Sequence, residues 1–333
     1  MKLILCLLIY LITIKLIVKP VKKKYSYHFF LWVVILLSLC YTIQSGELDP
    51  GSDLEKYKNL FESETFFWTP NLLREILFWG FTRSLYSIFQ DIDLTFITVN
   101  LFYSVLILKG FNNYKKTNNL YLLFGFLLFY PFLTGMHVIY RQLISMAILF
   151  YSMSCLYNNK NKLGIFAFFV SCLFHNVSFI FFPLIFFATR KIYNRVLMFL
   201  ALISVPFLFS LSELSSNEFL FRQQIYYLPT LSIAYLIVFI LLIFFIFIIN
   251  IYNNIKPDYF NKLVMLLSII FIFSFFSLKS NLSIERIGLY CMGLIYFYLG
   301  FYIDRFEGKI YVKLIFFHIS LIPILTFYSS LLS

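Results

Sequence analysis

The chain has few charged residues, few glycines and prolines, and few cysteines. Only 13% of its 333 residues are charged, about half the share of an average soluble protein. With 11 Gly and 9 Pro it is not collagen-like, and 5 Cys are too few to staple so long a chain. Disordered chains are poor in apolar residues, whereas 61% of these are hydrophobic. The composition therefore favours a protein of the lipid bilayer.

Long apolar runs predict an all-α, polytopic transmembrane helical bundle. Residues 231–249 are apolar on every side over about 20 residues, the length of a spanning helix, without the alternation of a barrel strand. About twelve candidate segments can be traced: 3–18, 28–44, 92–109, 119–134, 137–157, 162–175, 177–189, 196–211, 230–252, 262–278, 286–303 and 311–331. The short ones between residues 119 and 189 are expected to form tight hairpins or broken, re-entrant helices.

Positive charge is distributed unevenly between the loops. When the loops are assigned alternately to two sides, one side receives most of the Lys and Arg, and the positive-inside rule makes that side cytoplasmic. Two larger outer loops then span residues 45–91 and 212–229 of a single integral membrane domain, residues 1–333. The net charge of +12 follows mostly from this topology, so a nucleic-acid partner is not expected.

The first outer loop contains an amphipathic stretch, residues 70–89, that predicts an interfacial helix. Trp68 and Trp79 suit the headgroup level of the membrane. After this helix, Asp91-Ile-Asp93 forms a D-x-D motif that could hold a metal on a nucleotide sugar. Because both acids stand at the start of a predicted helix, we favour an N-cap instead. No P-loop, dinucleotide or common hydrolase motif is present.

Basic residues on the outer side suggest an anion-binding site. His137 and Arg141 lie four residues apart on one face of a helix start, where a guanidinium, an imidazole and free N–H groups suit an anion. The alternative is that Arg141 reaches lipid headgroups and His137 is a lone interfacial residue. Arg222 and Arg286 also lie on the outer side, and each alone is typical of a boundary anchor. Three arginines meeting in one outer cleft would match phosphate oxygens.

His175 lies in a polar break between two apolar segments. It is a candidate to contact substrate, since an imidazole can exchange a proton near neutral pH. The alternative is that Asn176 and Ser178 cap the next helix and His175 satisfies a backbone carbonyl.

Five short motifs together resemble the EpsG/Wzy group of bacterial polysaccharide polymerases. They are Gly51-Ser-Asp53-Leu-Glu-Lys-Tyr57, Arg74-Glu75-Ile-Leu-Phe-Trp79, Tyr140-Arg141-Gln142-Leu-Ile-Ser-Met-Ala147, Leu173-Phe-His175-Asn-Val-Ser178 and Glu285-Arg286-Ile-Gly-Leu-Tyr290. Ser145 departs from the pattern, in which Gly or Ala is expected. The resemblance implies a GT-C-like fold and an O-antigen or related polymerase that joins oligosaccharide repeat units linked to undecaprenyl pyrophosphate at the periplasmic face of the inner membrane.

The resemblance also implies partners and roles. The expected partners are the undecaprenyl-pyrophosphate-linked oligosaccharide, membrane lipid, a chain-length regulator and a flippase, with no cofactor and no metal. The reaction needs charge stabilisation for the pyrophosphate and a base for the attacking hydroxyl. Pyrophosphate is expected to bind Arg141, Arg222 and Arg286. The candidate catalytic residues are His137, Glu75, Asp53 and His175. Sugars are expected to bind Tyr57, Trp68, Tyr226, Tyr227 and Tyr290.

Two other classes of protein remain alternatives. A flippase for lipid-linked oligosaccharides would need a central polar cavity and structural repeats, and no internal repeat is visible in the sequence. A related transferase would either ligate finished glycan to another acceptor or acylate it. An acyltransferase needs a catalytic His near a cytoplasmic acyl donor, but His28 and His318 lie within apolar segments and neither belongs to a convincing cluster.

Overall fold

The computed structural model describes a helical protein. The described residues are 2–19, 26–48, 57, 61, 75–114, 120–129, 132–133, 139–188, 230–253, 259–277, 281–304 and 310–327. The α-helices in these ranges are α1 (Lys2–Val18), α2 (Ser26–Leu48), α3 (Ile76–Phe89), α4 (Ile92–Asn113), α5 (Leu120–Leu127), α6 (Tyr140–Tyr157), α7 (Asn161–Phe174), α8 (Phe182–Ala188), α9 (Thr230–Asn253), α10 (Tyr259–Ser277), α11 (Asn281–Ile303) and α12 (Ile310–Phe327). A 3-10 helix, Asn176–Phe181, precedes α8. The described ranges contain no strand, so the all-α prediction is confirmed.

Among the residues whose side chains the structure describes, two helical stretches are long and apolar enough to cross a bilayer. They are Ile92–Asn113, which is α4, and Ile284–Ile303 within α11. In the other apolar helices the stretch with described side chains is shorter, as in Tyr259–Phe275 of α10. The number of spans and their orientation therefore stay predictions. A break at His175 separates α7 from the 3-10 helix, as expected for a broken segment, and re-entry into the membrane stays a prediction.

The chain divides into two compact units, one ending at Ser178 and the other covering Phe179–Phe327. In the first unit, α6 packs against α4 and α7, α3 packs against the same two helices, α2 packs against α4, and α1 against α5. In the second unit, α11 packs against α9 and α10, and α12 packs against α9 and α11.

Helix α3 follows the spacing of an amphipathic helix. Glu75, Phe78, Trp79 and Thr82 are buried, which is the i, i+3, i+4, i+7 pattern of one helix face. Ile88 on the other side is exposed, and the helix ends at Gln90 in the left-handed conformation with φ 52°. The described helix agrees with the C-terminal part of the predicted 70–89 segment. Trp79 is buried in the first unit, and its level in the membrane stays a prediction.

Asp91 caps α4, as the sequence predicted for the D-x-D motif. Its backbone is extended, and its side chain accepts a hydrogen bond of 2.9 Å from the N–H of Leu94. Asp93 follows in the first turn, where the helix dipole stabilises an acid. The cap interpretation is confirmed.

Helices α6 and α7 form a tight antiparallel hairpin. The chain reverses through Asn159, whose φ of 60° is left-handed. A Cβ added at Gly164 would lie 2.5 Å from Leu156 Cγ, so this position needs glycine for the helices to approach. Since the start of α6 then lies beside the end of α7, the hairpin brings residues near 141 close to residues near 175.

Candidate functional site

Three polar side chains meet in the first unit and form what we call the Glu75 cluster: Glu75, Arg141 and His175. Glu75 immediately precedes α3, Arg141 lies in the first turn of α6, and His175 ends α7. The Nη1 group of Arg141 donates to Oε2 of Glu75, and His175 Nδ1 lies 2.9 Å from Oε1 of the same carboxylate. Each carboxylate oxygen thus has its own partner, which is the arrangement that a buried acid requires.

The three side chains differ in exposure. The Glu75 side chain is 6% exposed and that of His175 is 5% exposed, whereas the Arg141 side chain is 30% exposed. A ligand that approaches the cluster can therefore reach Arg141 more readily than the other two. Glu75 contacts the guanidinium directly, and His175 contacts the other oxygen of the same carboxylate.

The cluster holds Glu75 in its ionised form. Burial on its own would raise the pKa of this carboxyl, but the neighbouring His175 and Arg141 outweigh it and lower the pKa from 4.5 to about 2. A carboxylate with so low a pKa accepts a proton poorly near neutral pH. Glu75 is therefore better suited to holding its two neighbours than to deprotonating a hydroxyl.

Aromatic rings surround the guanidinium. The Cζ atom of Arg141 lies 5.9 Å from the centre of the Tyr57 ring and 5.8 Å from that of the Trp79 ring. Both distances are within the range of cation–π attraction. The Tyr57 ring packs edge-on to Trp79 at 5.4 Å and stacks with Phe96 at 5.3 Å. Tyr57 is 4% exposed, so in this arrangement it contacts Arg141 and other rings and leaves little surface for a sugar.

Trp79 contacts Arg141 in this site, a role that the sequence did not predict. Its position one helical turn after Glu75 was the available signal, because residues four apart share a face. The sequence instead favoured a membrane-interface position for this tryptophan.

Arg286 and Tyr290 belong to the second unit, on α11. Tyr290 is fully buried and its ring stacks on that of Phe181, with 5.4 Å between ring centres. Glu285, the residue before Arg286, is 7% exposed. The meeting of Arg286 with Arg141 stays a prediction, as does a sugar contact of Tyr290.

The remaining candidates fall outside the described residues. They are Asp53, Trp68, His137, Arg222, Tyr226 and Tyr227. Their assigned roles stay predictions. Of the five motifs behind the resemblance, three nevertheless contribute one side chain each to the Glu75 cluster, and a fourth contributes Tyr57 to its aromatic surroundings.

The chain matches a known protein family. The sequence model of the EpsG family matches residues 29–333, nearly the whole chain. No curated protein and no solved structure matches the chain.

Proposed function

The chain belongs to the EpsG family, a Wzy-like polymerase family, and we propose that it polymerises undecaprenyl-pyrophosphate-linked oligosaccharide repeat units at the periplasmic face of the inner membrane. Family membership itself suggests a glycan polymerase-like glycosyltransferase. The family and the two apolar helices also suggest a membrane protein. The lipid carrier, the O-antigen product and the orientation are parts of the proposal.

The observation that carries the proposal is a partly exposed arginine on a rigid, buried support. Arg141 is held by the Glu75 carboxylate on one side and by the Tyr57 and Trp79 rings on others. A guanidinium has five N–H donors, so one carboxylate contact does not exhaust it. A side chain fixed in this way loses little conformational freedom when it binds phosphate oxygens. We therefore assign Arg141 to the pyrophosphate. The same role for Arg222 and Arg286 rests on the sequence resemblance alone.

The reaction transfers a glycan from one lipid pyrophosphate to an acceptor. A hydroxyl oxygen of the incoming repeat unit attacks the anomeric carbon of the growing chain, and the bond from that carbon to the pyrophosphate oxygen breaks. The pyrophosphate leaves with the electron pair, so negative charge develops where an arginine stabilises it most. The hydroxyl proton passes to a base.

Glu75 takes a positioning role in this proposal, and His137, Asp53 and His175 remain as bases. Of these three, His175 contacts a carboxylate through Nδ1 at 2.9 Å. In acid–imidazole pairs of this kind the carboxylate orients the ring, and Nε2 is the nitrogen that accepts the proton. His175 would need to become more accessible in the substrate-bound state than its 5% exposed side chain is here.

The test is complementation of a deletion strain, read as the electrophoretic profile of the surface and lipid-linked glycan. Arg141→Ala should reduce chain extension by at least about 100-fold and leave single repeat units on the outer lipid. Arg141→Lys should also fail, because an ammonium cannot offer the planar fork of a guanidinium. Arg83→Ala, which removes a half-exposed arginine from α3, is the matched control and should keep the ladder.

The same profile separates the alternatives. Loss of a flippase would leave no repeat unit on the outer lipid, and loss of a ligase would leave long lipid-linked chains. Normal ladders from both Arg141→Ala and Arg286→Ala, with the protein present in the membrane, would refute the proposed site.

A further inference from the structure

Three buried serines lie beside the Glu75 cluster, and we call them the serine cluster: Ser145, Ser171 and Ser178. All three side chains are fully buried, and they come from α6, α7 and the 3-10 helix respectively. Their hydroxyl oxygens lie 2.7 to 3.0 Å from one another. A buried hydroxyl is costly without a partner, so a cluster in which each hydroxyl has one is a defined and rigid feature.

The serine cluster joins the two helices of the hairpin reciprocally. Ser145 Oγ donates to the backbone carbonyl of Ser171 at 2.7 Å, and Ser171 Oγ donates to the backbone carbonyl of Ser145 at 2.8 Å. A slide of α6 along α7 by one residue would break both contacts at once. The pair therefore fixes the relative register of the helix that carries Arg141 and the helix that ends at His175.

Backbone hydrogen bonds also connect His175 to two residues of the serine cluster. The N–H of His175 donates to the Ser171 carbonyl at 3.0 Å, and the N–H of Ser178 donates to the His175 carbonyl at 3.1 Å. The hydroxyl oxygens of Ser171 and Ser178 lie 2.7 Å apart, and Ser171 can accept from Ser178 because its own proton goes to the Ser145 carbonyl. This contact spans the break between α7 and the 3-10 helix. The Ser171 carbonyl is thus shared by the His175 amide and the Ser145 hydroxyl.

The spacing along each helix links the two clusters. Ser145 lies four residues after Arg141, one turn along α6, and Ser171 lies four residues before His175 on α7. We propose that the serine cluster is a positioning site that sets the separation of Arg141 and His175, so that both reach the single carboxylate of Glu75. This inference rests on the proposed function for its importance to the reaction, but its geometry can be tested without any activity.

The direct test observes the His175 ring. The chain has only 4 His, so protein labelled with ¹³C in its histidine rings gives few resonances, and His175→Gln identifies one of them. Ser171→Ala and Ser145→Ala should shift that resonance, because the ring moves relative to Glu75. Ser152→Ala is the matched control: Ser152 is also fully buried, and its hydroxyl donates to the Gly164 carbonyl at 2.6 Å, joining the same helices about two turns away.

Chain extension in the complemented strain is the second measurement. Ser171→Ala should lower it by about 10- to 100-fold, the cost of a small misplacement at a reacting site, and Ser152→Ala should leave it within about twofold of wild type. In a Glu75→Gln background Ser171→Ala should have no further effect on the His175 resonance. If Ser171 only stabilised the hairpin, the shifts of the His175 resonance caused by Ser171→Ala and Glu75→Gln would instead be additive.

The outcomes are distinct. If the His175 resonance does not move in Ser171→Ala, or moves equally in Ser152→Ala, the positioning site is refuted whatever the protein catalyses. A moved resonance with unchanged chain extension supports the geometric inference and refutes its importance to the reaction. If the wild-type chain itself fails to restore a ladder, the proposed function fails, and the resonance still decides the geometric inference.

Discussion

Two buried glutamates, one in each unit, show how differently a carboxylate can be treated inside one chain. As whole residues, Glu75 and Glu285 are 4% and 7% exposed. Each stands near a helix start, and each has an arginine beside it in the sequence. Arg141 contacts one oxygen of Glu75 and His175 the other. Oε1 of Glu285 has no hydrogen-bond partner in the part of the chain that the structure describes.

This difference shows that burial alone does not determine whether a carboxylate is stabilised as an anion. With two donors, Glu75 is held as an anion, and it in turn orients two functional candidates. A buried acid with an unsatisfied oxygen pays the desolvation penalty without full compensation. The same residue type should therefore respond in opposite directions to the same substitution.

The largest expected effect is that of Glu75→Gln. The change leaves the guanidinium of Arg141 beside an amide and removes the charge that faces His175. Breaking a buried ion pair costs about 3 to 5 kcal/mol, and the partial exposure of Arg141 puts the expected loss near the lower end. The free energy of unfolding in detergent micelles measures it, with tryptophan fluorescence as the probe. A loss below about 1 kcal/mol would mean that the pair contributes no more than a surface contact.

The pH dependence of stability should differ between wild type and this variant. Because the pKa of Glu75 is about 2 in the folded state against 4.5 normally, its contribution is present above pH 4.5 and is lost as the pH falls towards 2. The full contribution is about 3 kcal/mol from the size of the shift. Unfolding free energies of both proteins at several pH values between 7 and 2 test it. Parallel curves would contradict the low pKa.

Glu285→Gln is the matched substitution in the second unit, with a smaller effect of opposite sign. An amide costs less to bury than a carboxylate, so the variant should be unchanged or more stable by about 1 kcal/mol. The same unfolding measurement applies. Destabilisation as large as that of Glu75→Gln would show that Glu285 has equally strong partners, and the contrast between the two units would be lost.

The smallest expected effect concerns an exposed carboxylate. Asp91 accepts one backbone hydrogen bond at the start of α4, so Asp91→Ala should cost about 1 kcal/mol, whereas Asp91→Ser should cost only a few tenths, since serine also caps helices well. Thermal unfolding of the two variants makes the comparison. Equal losses would point to a role of the negative charge beyond capping.

Much of the local structure could be predicted from the sequence. The helix start at Asp91 followed from a capping residue before an apolar run, and the end of α3 agreed with the predicted boundary. Four of the five motifs that suggested the family supply side chains to the Glu75 cluster or its aromatic surroundings. In each case the signal was local, since caps and helix faces depend on residues within one or two turns.

Local sequence patterns could not predict which side chains meet in the Glu75 cluster. Glu75 and Arg141 are separated by 66 residues, and nothing in their local spacing indicates that they meet. From the sequence, Glu75 is a possible base, and Arg141 is expected to pair with His137 because residues four apart share a helix face. The described helix begins at Tyr140, and the carboxylate next to Arg141 comes from Glu75, the residue before α3.

Composition, apolar runs and short motifs by themselves determined that this protein is helical, suited to a membrane and a member of the EpsG family. They did so because hydrophobicity, capping and helix periodicity are properties of neighbouring residues. The tertiary structure decided which donors Glu75 has, why its proton is lost so easily, and why Arg141 is the most exposed of the three. Those properties depend on how α3, α6 and α7 pack, and electrostatic interactions follow the resulting distances and burial.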